Sequence, residues 1–442
     1  MNALMASPSD CCHPTNHQTE MQRTLTLNGT KSGSTSPPMS RLLTITVAFY
    51  ILHTLEALGF VGRMLYGEWA GQPGNKFTAL INIVFMAVSA SLFLLAIQRP
   101  GRAAALAWPP IAVALFLCSS ALWSIDPSTT IRRGIFYLFV VLGGTGIALR
   151  VELDDYMRLL RQVCAMAAIG SLLLLIVSPS NALMISTEDV PEVILRGVFS
   201  QKNVLGQAMA AGSFASLYAL RQGKRWTGLA SLGLFVLLTL LSKSATSLLM
   251  IIVAISIEFL VRLHQRGGTY WTLAQIALGV AAVLGVGVVV APDQFLLLLG
   301  KDPTLTGRSE LWALVMDNIA QRPVLGWGYA AFWTIDNPVA LAISDTVKWA
   351  VPQAHNGALE IMINVGMLGL LLFLGLWIAH VRRAFRCYRR GFHSLATICL
   401  MVDAGLIVLG VSETVMMEPF QITTSLFFIT GVMAARALRE AQ

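Results

Sequence analysis

The sequence predicts an all-α fold, a polytopic membrane helix bundle of about twelve transmembrane helices. Of its 442 residues, 55% are hydrophobic and only 12% are charged, and the mean hydropathy is +0.68. A soluble protein carries about 25% charged residues, so lipid must surround most of these side chains. From Arg41 onward, apolar stretches recur that are long enough to cross a hydrocarbon core of about 30 Å as helices. Only helices satisfy every backbone polar group across such stretches in lipid.

The elements follow in chain order. Residues 1–40 are polar and rich in Ser, Thr, Asn and Pro, which predicts a disordered cytoplasmic tail. Residues 41–442 then form the membrane domain. Its twelve predicted spans are 42–61, 77–97, 103–123, 134–149, 159–178, 203–220, 226–241, 245–261, 271–291, 357–379, 394–412 and 420–437. Two of these spans are short and one junction is tight, which leaves the count open by one.

The distribution of basic residues orients the spans. When the N-terminus is placed inside, the inner segments hold twenty of the 31 Lys and Arg residues, and the outer segments hold the other eleven. Cytoplasmic segments carry such an excess, so both termini are predicted to be cytoplasmic. The same use of basic charge accounts for the net charge of +8 and argues against nucleic acid as a partner. The segments predicted to lie outside are 124–133, 179–202, 242–244 and 292–356.

The outer loop 292–356 is the only outer segment that is long enough for structure of its own. Within it, residues 308–321 have apolar side chains at helical spacing. These side chains are Leu311, Leu314, Val315 and Ile319. The spacing predicts an amphipathic helix, and we expect it to lie on the membrane surface with Trp312 at the headgroup level.

Charged side chains are sparse on the outer face. The four cations that stand out there are Arg196, Lys202, Lys243 and Arg308. Each could simply extend to lipid phosphates, and Lys243 could serve only the tight turn in which it lies. Arg308 is more informative, because it lies in the first turn of its predicted helix. The N–H groups and dipole of a helix start are already partly positive, so an arginine there favours a bound phosphate or diphosphate.

His355 is the only one of the seven histidines that this topology places in an outer loop. It precedes the tenth span, where Asn356 can cap the helix, and an ordinary residue at a helix start is the alternative interpretation. A neutral imidazole beside a bound diphosphate could take a proton from a hydroxyl group. The sequence contains no phosphate-binding G-x-x-x-x-G-K-[ST] loop, D-x-D pair or His/Glu cluster at zinc spacing, so no cofactor or metal site is predicted.

Five stretches, in this order, resemble the O-antigen ligase and polysaccharide polymerase superfamily, and the exopolysaccharide-polymerase type most of all. They are "LWSIDPSTTIRRG" (122–134), "RGVFSQKNVLGQ" (196–207), "LSKSATSLL" (241–249), "TGRSELW" (306–312) with "RPVLGWG" (322–328), and "HNGALEIMINVGMLG" (355–369). The resemblance implies a multi-pass glycosyltransferase of the bacterial inner membrane whose active site is at the periplasmic face.

The resemblance also implies the reaction. An acceptor sugar hydroxyl attacks a saccharide linked to undecaprenyl diphosphate, with inversion and without a metal ion. Arg196 and Arg308 match the family's diphosphate-binding arginines, and His355 matches its proposed base. Four further positions match less closely, namely Lys202, Lys243, Asn356 and Glu360. Glu413 resembles a family position whose role is open.

Three functions stay open. A polymerase would extend exopolysaccharide or O-antigen, and this is the preferred prediction. A ligase would transfer a finished glycan to lipid A–core or to a protein. A transporter or flippase of lipid-linked sugar would place ionisable groups near the midplane. The ionisable residues within the predicted spans are His53, Glu56 and Asp403, whereas the strongest cluster lies at the outer surface. The expected partners are the lipid-linked donor, a saccharide acceptor, membrane lipids and a chain-length regulator.

Overall fold

The computed structural model describes residues 39–58, 60–61, 76–98, 103–185, 192–269, 272, 308–414 and 418–442, and every structural statement below concerns these residues. The predicted span 271–291, nearly all of the predicted tail and the first part of the long loop lie outside them. The longer described helices, α1 to α13, are Arg41–Thr54, Lys76–Ile97, Ala103–Ser119, Pro127–Arg150, Leu153–Val177, Lys202–Arg221, Arg225–Leu241, Ala245–Arg266, Arg308–Gln321, Pro338–Val347, Gly357–Arg389, His393–Ser412 and Ile422–Glu440. A four-residue helix (Pro179–Ala182) and a short 3₁₀ helix (Ser120–Leu122) are also described. The strands in this part of the chain are β1 (Leu183–Ile185) and β2 (Val193–Leu195), which pair in an antiparallel ladder.

The all-α fold is confirmed, and a described helix coincides with eleven of the twelve predicted spans. Six helices are long and apolar enough to cross a membrane. They are α2 (Phe77–Ile97), α4 (Pro127–Arg150), α5 (Leu153–Val177), α8 (Ala245–Arg266), α11 (Gly357–Arg389) and α12 (His393–Val411). The number of twelve transmembrane helices is therefore not confirmed.

Two helices outside that group, α6 and α13, are the most deeply buried of the bundle. Every residue from Leu205 to Ala219 in α6 is buried, as is every residue from Ile422 to Ala434 in α13. Because protein surrounds them, small and polar residues take positions that a lipid-facing helix fills with large apolar side chains. Hydropathy alone therefore understates the evidence that these two helices belong to the membrane bundle.

Close packing in the bundle depends on glycine where α2 and α4 meet. A Cβ atom at Gly146 would lie 2.5 Å from the carbonyl carbon of Leu92, which is inside any van der Waals contact. Only glycine allows the two backbones to approach so closely. This contact holds the later part of α4 tightly against α2.

The two ends of the bundle differ in charge. The site end is defined here as residues 120–130, 192–203, 242–247, 308–364 and 413–414. At the opposite, arginine-rich end, Arg221 and Arg262 both pair with Glu258, at 3.1 and 2.6 Å. Arg436 pairs there with Glu152 at 3.1 Å.

Helix α11 is broken near its start, and a loop fills the break. Val365 and Gly366 have non-helical backbone angles, and the freed carbonyl groups of Ile363 and Asn364 accept hydrogen bonds from residues 327 and 328 at 2.9 and 2.8 Å. A Cβ atom at Gly366 would lie 2.2 Å from the carbonyl oxygen of Val324. The motif "RPVLGWG" (322–328) thus separates residues 357–364 from the rest of the helix.

The amphipathic helix predicted at 308–321 is present as α9, but the expectation that it lies on the membrane surface is wrong. Leu311 and Val315 are fully buried, in a core that also contains Phe332, Ile343 and Ile363. The long loop and the start of α11 therefore cover the apolar face of α9 with protein. The indole of Trp312 is also turned inward, since its N–H donates to the carbonyl of Ala354 over 3.0 Å.

Candidate functional site

His355 lies in a short segment whose backbone is held by two neighbouring elements. The N–H of Ala354 donates to Oε2 of Glu360 over 2.8 Å, and its carbonyl accepts the indole N–H of Trp312. Ala354 is fully buried, whereas His355 is half-buried, and its ring centroid lies 5.6 Å from that of Trp349. The φ of His355 is 50°, in the left-handed region, so the chain turns sharply before α11 begins. Helix α9 and the start of α11 together set the position of this histidine.

A chain of polar side chains links His355 to two other helices. Nδ2 of Asn203, in the first turn of α6, donates to Oε1 of Glu413 over 2.9 Å. Nε2 of Gln353 donates to Oε2 of Glu413 over 3.1 Å and lies 3.4 Å from Nδ1 of His355. The hydroxyl of Thr414 donates to Oε1 of the same Gln353 side chain. The carboxylate at the end of α12 is thus joined to the histidine before α11 through one amide.

Asn356 and Glu360 hold the backbone around His355. Oδ1 of Asn356 accepts from the N–H groups of Ala358 and Leu359 at 3.0 and 3.1 Å, so it caps α11 as its position in the sequence predicts. The Glu360 carboxylate is buried and accepts three hydrogen bonds, from the N–H of Ala354, the Trp333 indole and the Asn364 amide. These three hydrogen bonds hold the Glu360 carboxylate against the backbone of Ala354 and so support the segment of His355.

Arg196 directly follows β2 and is half-buried. Its backbone N–H donates to the carbonyl of Ala182 at 2.9 Å, and its Nε donates to the carbonyl of Asn181 at 3.2 Å. The short β-ladder and these two hydrogen bonds hold the backbone of Arg196 and its guanidinium in place. Six residues later α6 begins at Lys202, which is next to Asn203 and so next to the polar chain that ends at His355.

Lys243 lies in the turn between α7 and α8, and it forms an ion pair. Its ammonium lies 2.6 Å from Oε2 of Glu192, and both side chains are about half exposed. The hydrogen bond and charge of Lys243, with a smaller contribution from Lys202, lower the pKa of the Glu192 carboxyl group. At least one of the four predicted cations is therefore paired with a carboxylate, which the sequence spacing did not indicate. The turn packs against α6, since a Cβ at Gly206 would lie 2.8 Å from that of Ser244.

Arg308 is the first residue of α9. Its side chain and the preceding residues lie outside the described part of the chain. Trp312 follows one helical turn later and contacts the carbonyl next to His355. The contact of Trp312 therefore joins α9 to the histidine segment, and a role of Arg308 in a common site stays a prediction.

The motif at 122–134 anchors the loop that enters α11. The Trp123 indole N–H donates to the carbonyl of Leu325 at 2.8 Å, and the backbone N–H of Ile125 donates to the carbonyl of Trp327 at 3.0 Å. The Thr130 hydroxyl donates to the carbonyl of Tyr329 at 2.9 Å. Two of the quoted motifs, 122–134 and 322–328, thus pair with each other and support the site from one side.

Sequence reasoning did not single out Gln353 or Asn203, although both lie in or beside quoted motifs. The available signal was their position, because Gln353 is two residues before His355 and Asn203 follows Lys202. It also missed His380, whose ring lies inside the bundle between Asp403 and Thr430, at 2.9 and 3.0 Å.

Comparison with known proteins fits this geometry. The family described as O-antigen ligase matches residues 229–374, a range that contains Lys243, Arg308, His355 and Glu360. The chain is 27% identical over 339 residues to the exopolysaccharide production protein ExoQ of Rhizobium meliloti. The aligned region covers 72% of this chain and 75% of that protein. The chain thus contains a region that matches the O-antigen ligase family, and its relatives support the superfamily.

A second superfamily member is similar over almost the same length. The O-antigen ligase of Pseudomonas aeruginosa is 23% identical over 338 residues, which cover 74% of this chain and 76% of that protein. The resemblance on the five motifs is therefore confirmed at the level of the superfamily. Arg196, Lys202 and Glu413 lie outside residues 229–374; of these, Glu413 contacts Gln353 within that range and also contacts Asn203, the neighbour of Lys202.

Proposed function

We propose that this protein polymerises polysaccharide by transferring a saccharide from an undecaprenyl-diphosphate-linked donor to a sugar hydroxyl at the periplasmic face of the bacterial inner membrane. The observation that carries the proposal is the set of contacts that joins the start of α6, beside Lys202, and helix α9, which begins at Arg308, to the segment of His355 at one end of an apolar helix bundle. The name of the Rhizobium meliloti relative supports exopolysaccharide as the product class.

The proposed chemistry is a single displacement. The acceptor oxygen attacks the anomeric carbon from the face opposite the diphosphate, so the configuration inverts. The bond to the diphosphate oxygen breaks, and its electron pair leaves with undecaprenyl diphosphate. Arg196 and Arg308 bind the diphosphate and stabilise the charge that develops on it, since Arg forks bind phosphate in two-point geometry. Lys202 and Lys243 add positive charge at the rim.

The direct test uses the purified full-length protein in lipid nanodiscs with a lipid-linked repeat unit as donor. We expect longer lipid-linked chains to form in the presence of EDTA, and the new glycosidic bond to have the configuration opposite to that of the donor. A strict requirement for an added divalent metal would overturn the metal-independent mechanism. Uptake or flipping of the donor in proteoliposomes without any new glycosidic bond would favour transport instead.

A ligase is the second candidate, because the Pseudomonas aeruginosa relative is named an O-antigen ligase. Polymerase and ligase share a donor and differ in the acceptor. The lipid-linked products of a deletion strain separate them: single repeat units accumulate if a polymerase is lost, and long lipid-linked chains accumulate if a ligase is lost.

The proposed topology has twelve spans, with both termini in the cytoplasm. The ends of the bundle then face opposite sides of the membrane. We expect a cysteine introduced in place of Lys348, at the site end, to react with a membrane-impermeant maleimide added to intact spheroplasts. A cysteine in place of Arg390, near the arginine-rich end, should react only after the membrane is opened. Equal labelling of both positions in intact cells would contradict this topology.

A further inference from the structure

The side-chain amide of Gln353 makes three contacts, and one of them is with the ring of His355. Its nitrogen donates to the Glu413 carboxylate at 3.1 Å and lies 3.4 Å from Nδ1 of His355. Its oxygen accepts from the Thr414 hydroxyl. An amide nitrogen has two hydrogens, and this arrangement uses one for the carboxylate and one for the imidazole.

Glu413 fixes which way the amide faces. An ionised carboxylate can only accept hydrogen bonds, and Oε1 of Glu413 already accepts from Asn203 at 2.9 Å. A Gln353 side chain turned by 180° would set its own oxygen against Oε2 of Glu413, so two acceptors would face each other. The nitrogen of Gln353 must therefore point to Glu413, and the same nitrogen faces His355.

The orientation of the amide in turn fixes the tautomer of His355. A donor at Nδ1 requires a lone pair on that ring nitrogen, so the neutral imidazole carries its hydrogen on Nε2. The opposite tautomer would direct the Nδ1 hydrogen at the amide hydrogens. The Trp349 ring and the two backbone hydrogen bonds of Ala354 restrain the segment, which limits other ways to relieve that clash.

We propose that His355 acts in the reaction as a hydrogen-bond donor through its Nε2–H, and that Gln353 is the positioning residue that selects this tautomer. The inference rests on the proposed glycosyl transfer and differs from the base role that the family resemblance implies. The Nε2–H donates a hydrogen bond to the diphosphate oxygen as the bond to the anomeric carbon breaks. The hydrogen stays on His355, the electron pair leaves with the diphosphate, and the acceptor hydroxyl loses its proton to water.

Substitution of His355 separates a donor from a base. The His355→Gln variant keeps an amide N–H near the position of Nε2 but has no basic nitrogen. We expect His355→Ala and His355→Asn to lower kcat by roughly 10²–10³-fold, the size found for removal of one donor to a developing oxyanion, and His355→Gln to stay within about tenfold of the wild type. A His355→Gln protein as inactive as His355→Ala, at equal yield of folded protein, would overturn the proposal.

Exchange of the amide and the carboxylate tests the positioning role. In the double variant Gln353→Glu/Glu413→Gln, the carboxylate at position 353 accepts the Nδ1 hydrogen, and the amide at position 413 restores the neighbouring hydrogen bond. The tautomer then reverses, which leaves a lone pair on Nε2. The donor role predicts a loss of kcat of at least about tenfold with an unchanged KM for the donor, whereas a base would work as well as before or better.

The tautomer can also be measured in the wild-type protein, with a variant needed only to assign the signals. Nitrogen NMR of protein with ¹⁵N-labelled histidine, with the His355 signals assigned by their loss in His355→Gln, distinguishes protonated from unprotonated ring nitrogens. We expect an unprotonated Nδ1 and a protonated Nε2, and the reverse pattern would overturn the proposal. If the wild type forms no glycosidic bond from any lipid-linked donor, the proposed function fails, while the tautomer is still measured separately.

Discussion

Two histidines of this protein, His355 and His380, each lie near a carboxylate, and they are placed very differently. His380 is 2% exposed inside the bundle, where Nδ1 lies 2.9 Å from Oδ2 of Asp403 and Nε2 lies 3.0 Å from the Thr430 hydroxyl. His355 is half-buried at the site end, and an amide separates its ring from Glu413.

The difference in hydrogen-bond partners gives His380 a structural role and His355 a chemical one. The Thr430 hydroxyl already donates to the carbonyl of Leu426 at 2.7 Å, so its oxygen accepts from Nε2 of His380. The Nδ1 atom faces the Asp403 carboxylate, and the group joins α11, α12 and α13. A carboxylate contacts the ring of His380 directly between helices, whereas an amide lies between the ring of His355 and its carboxylate.

The largest expected effect tests the structural half of this comparison. Asp403→Ala leaves the imidazole of His380 without its partner in the bundle interior, and loss of one member of a buried pair costs about 3–5 kcal/mol. We expect a sharply lower yield of folded protein and a lower unfolding temperature in detergent, with unchanged activity per folded molecule. Asp403→Asn, which keeps an acceptor, should lose less. A stable Asp403→Ala protein that is inactive would move His380 into the catalytic group.

The next largest effect concerns the arginines of the site end. Arg196→Ala and Arg308→Ala should each lower kcat/KM by roughly 10²–10³-fold at normal yield, because each removes a charged donor from the leaving group. Arg225→Ala is the matched control for Arg308→Ala, since Arg225 is likewise the first residue of a helix; its side chain is exposed and lies away from the site end. Near-normal polymer from either site variant would refute the role of that arginine.

A smaller effect is expected from the support of His355. Trp312→Phe keeps an aromatic ring but removes the hydrogen bond to the carbonyl of Ala354, a contribution of about 1 kcal/mol. We expect a decrease in kcat of severalfold with little change in the KM for the donor. Trp226→Phe, at an exposed tryptophan of α7, should leave both constants unchanged. Equal behaviour of the two variants would mean that α9 does not position His355.

The smallest effect concerns the ion pair at the rim. Glu192→Gln removes the carboxylate that pairs with Lys243, so donor binding should tighten slightly at low salt and not at high salt, because both groups are exposed. The pKa of Glu192 is lowered in the folded protein, so its charge persists at neutral pH and is lost only as the pH falls through the lowered value. Wild type and variant should therefore converge in acid. A weaker donor affinity of Glu192→Gln at neutral pH would contradict this assignment.

Much of the fold could be predicted because lipid imposes a simple rule on sequence. Apolar length marked eleven helices that the structure describes, and helical spacing marked α9. The failures have physical causes. The helices α6 and α13 are long enough to cross a membrane but are less apolar than the six helices named above, because protein surrounds them. The apolar face of α9 was assigned to lipid because the sequence does not reveal that residues such as Phe332 and Ile343 fold back to cover it.

The sequence by itself determined the membrane class, the all-α fold and the residue types of the candidate site, since hydropathy, helical period and scarce charges are local properties. Tertiary structure alone decided which of those residues meet. Asn203, Gln353 and Glu413 are separated by 150 and 60 residues, yet their side chains form one chain of hydrogen bonds to His355. No local pattern encodes that contact, because the geometry of a hydrogen bond depends on where whole helices end in the bundle. The tautomer of the one histidine that the sequence singled out is therefore a property of the fold.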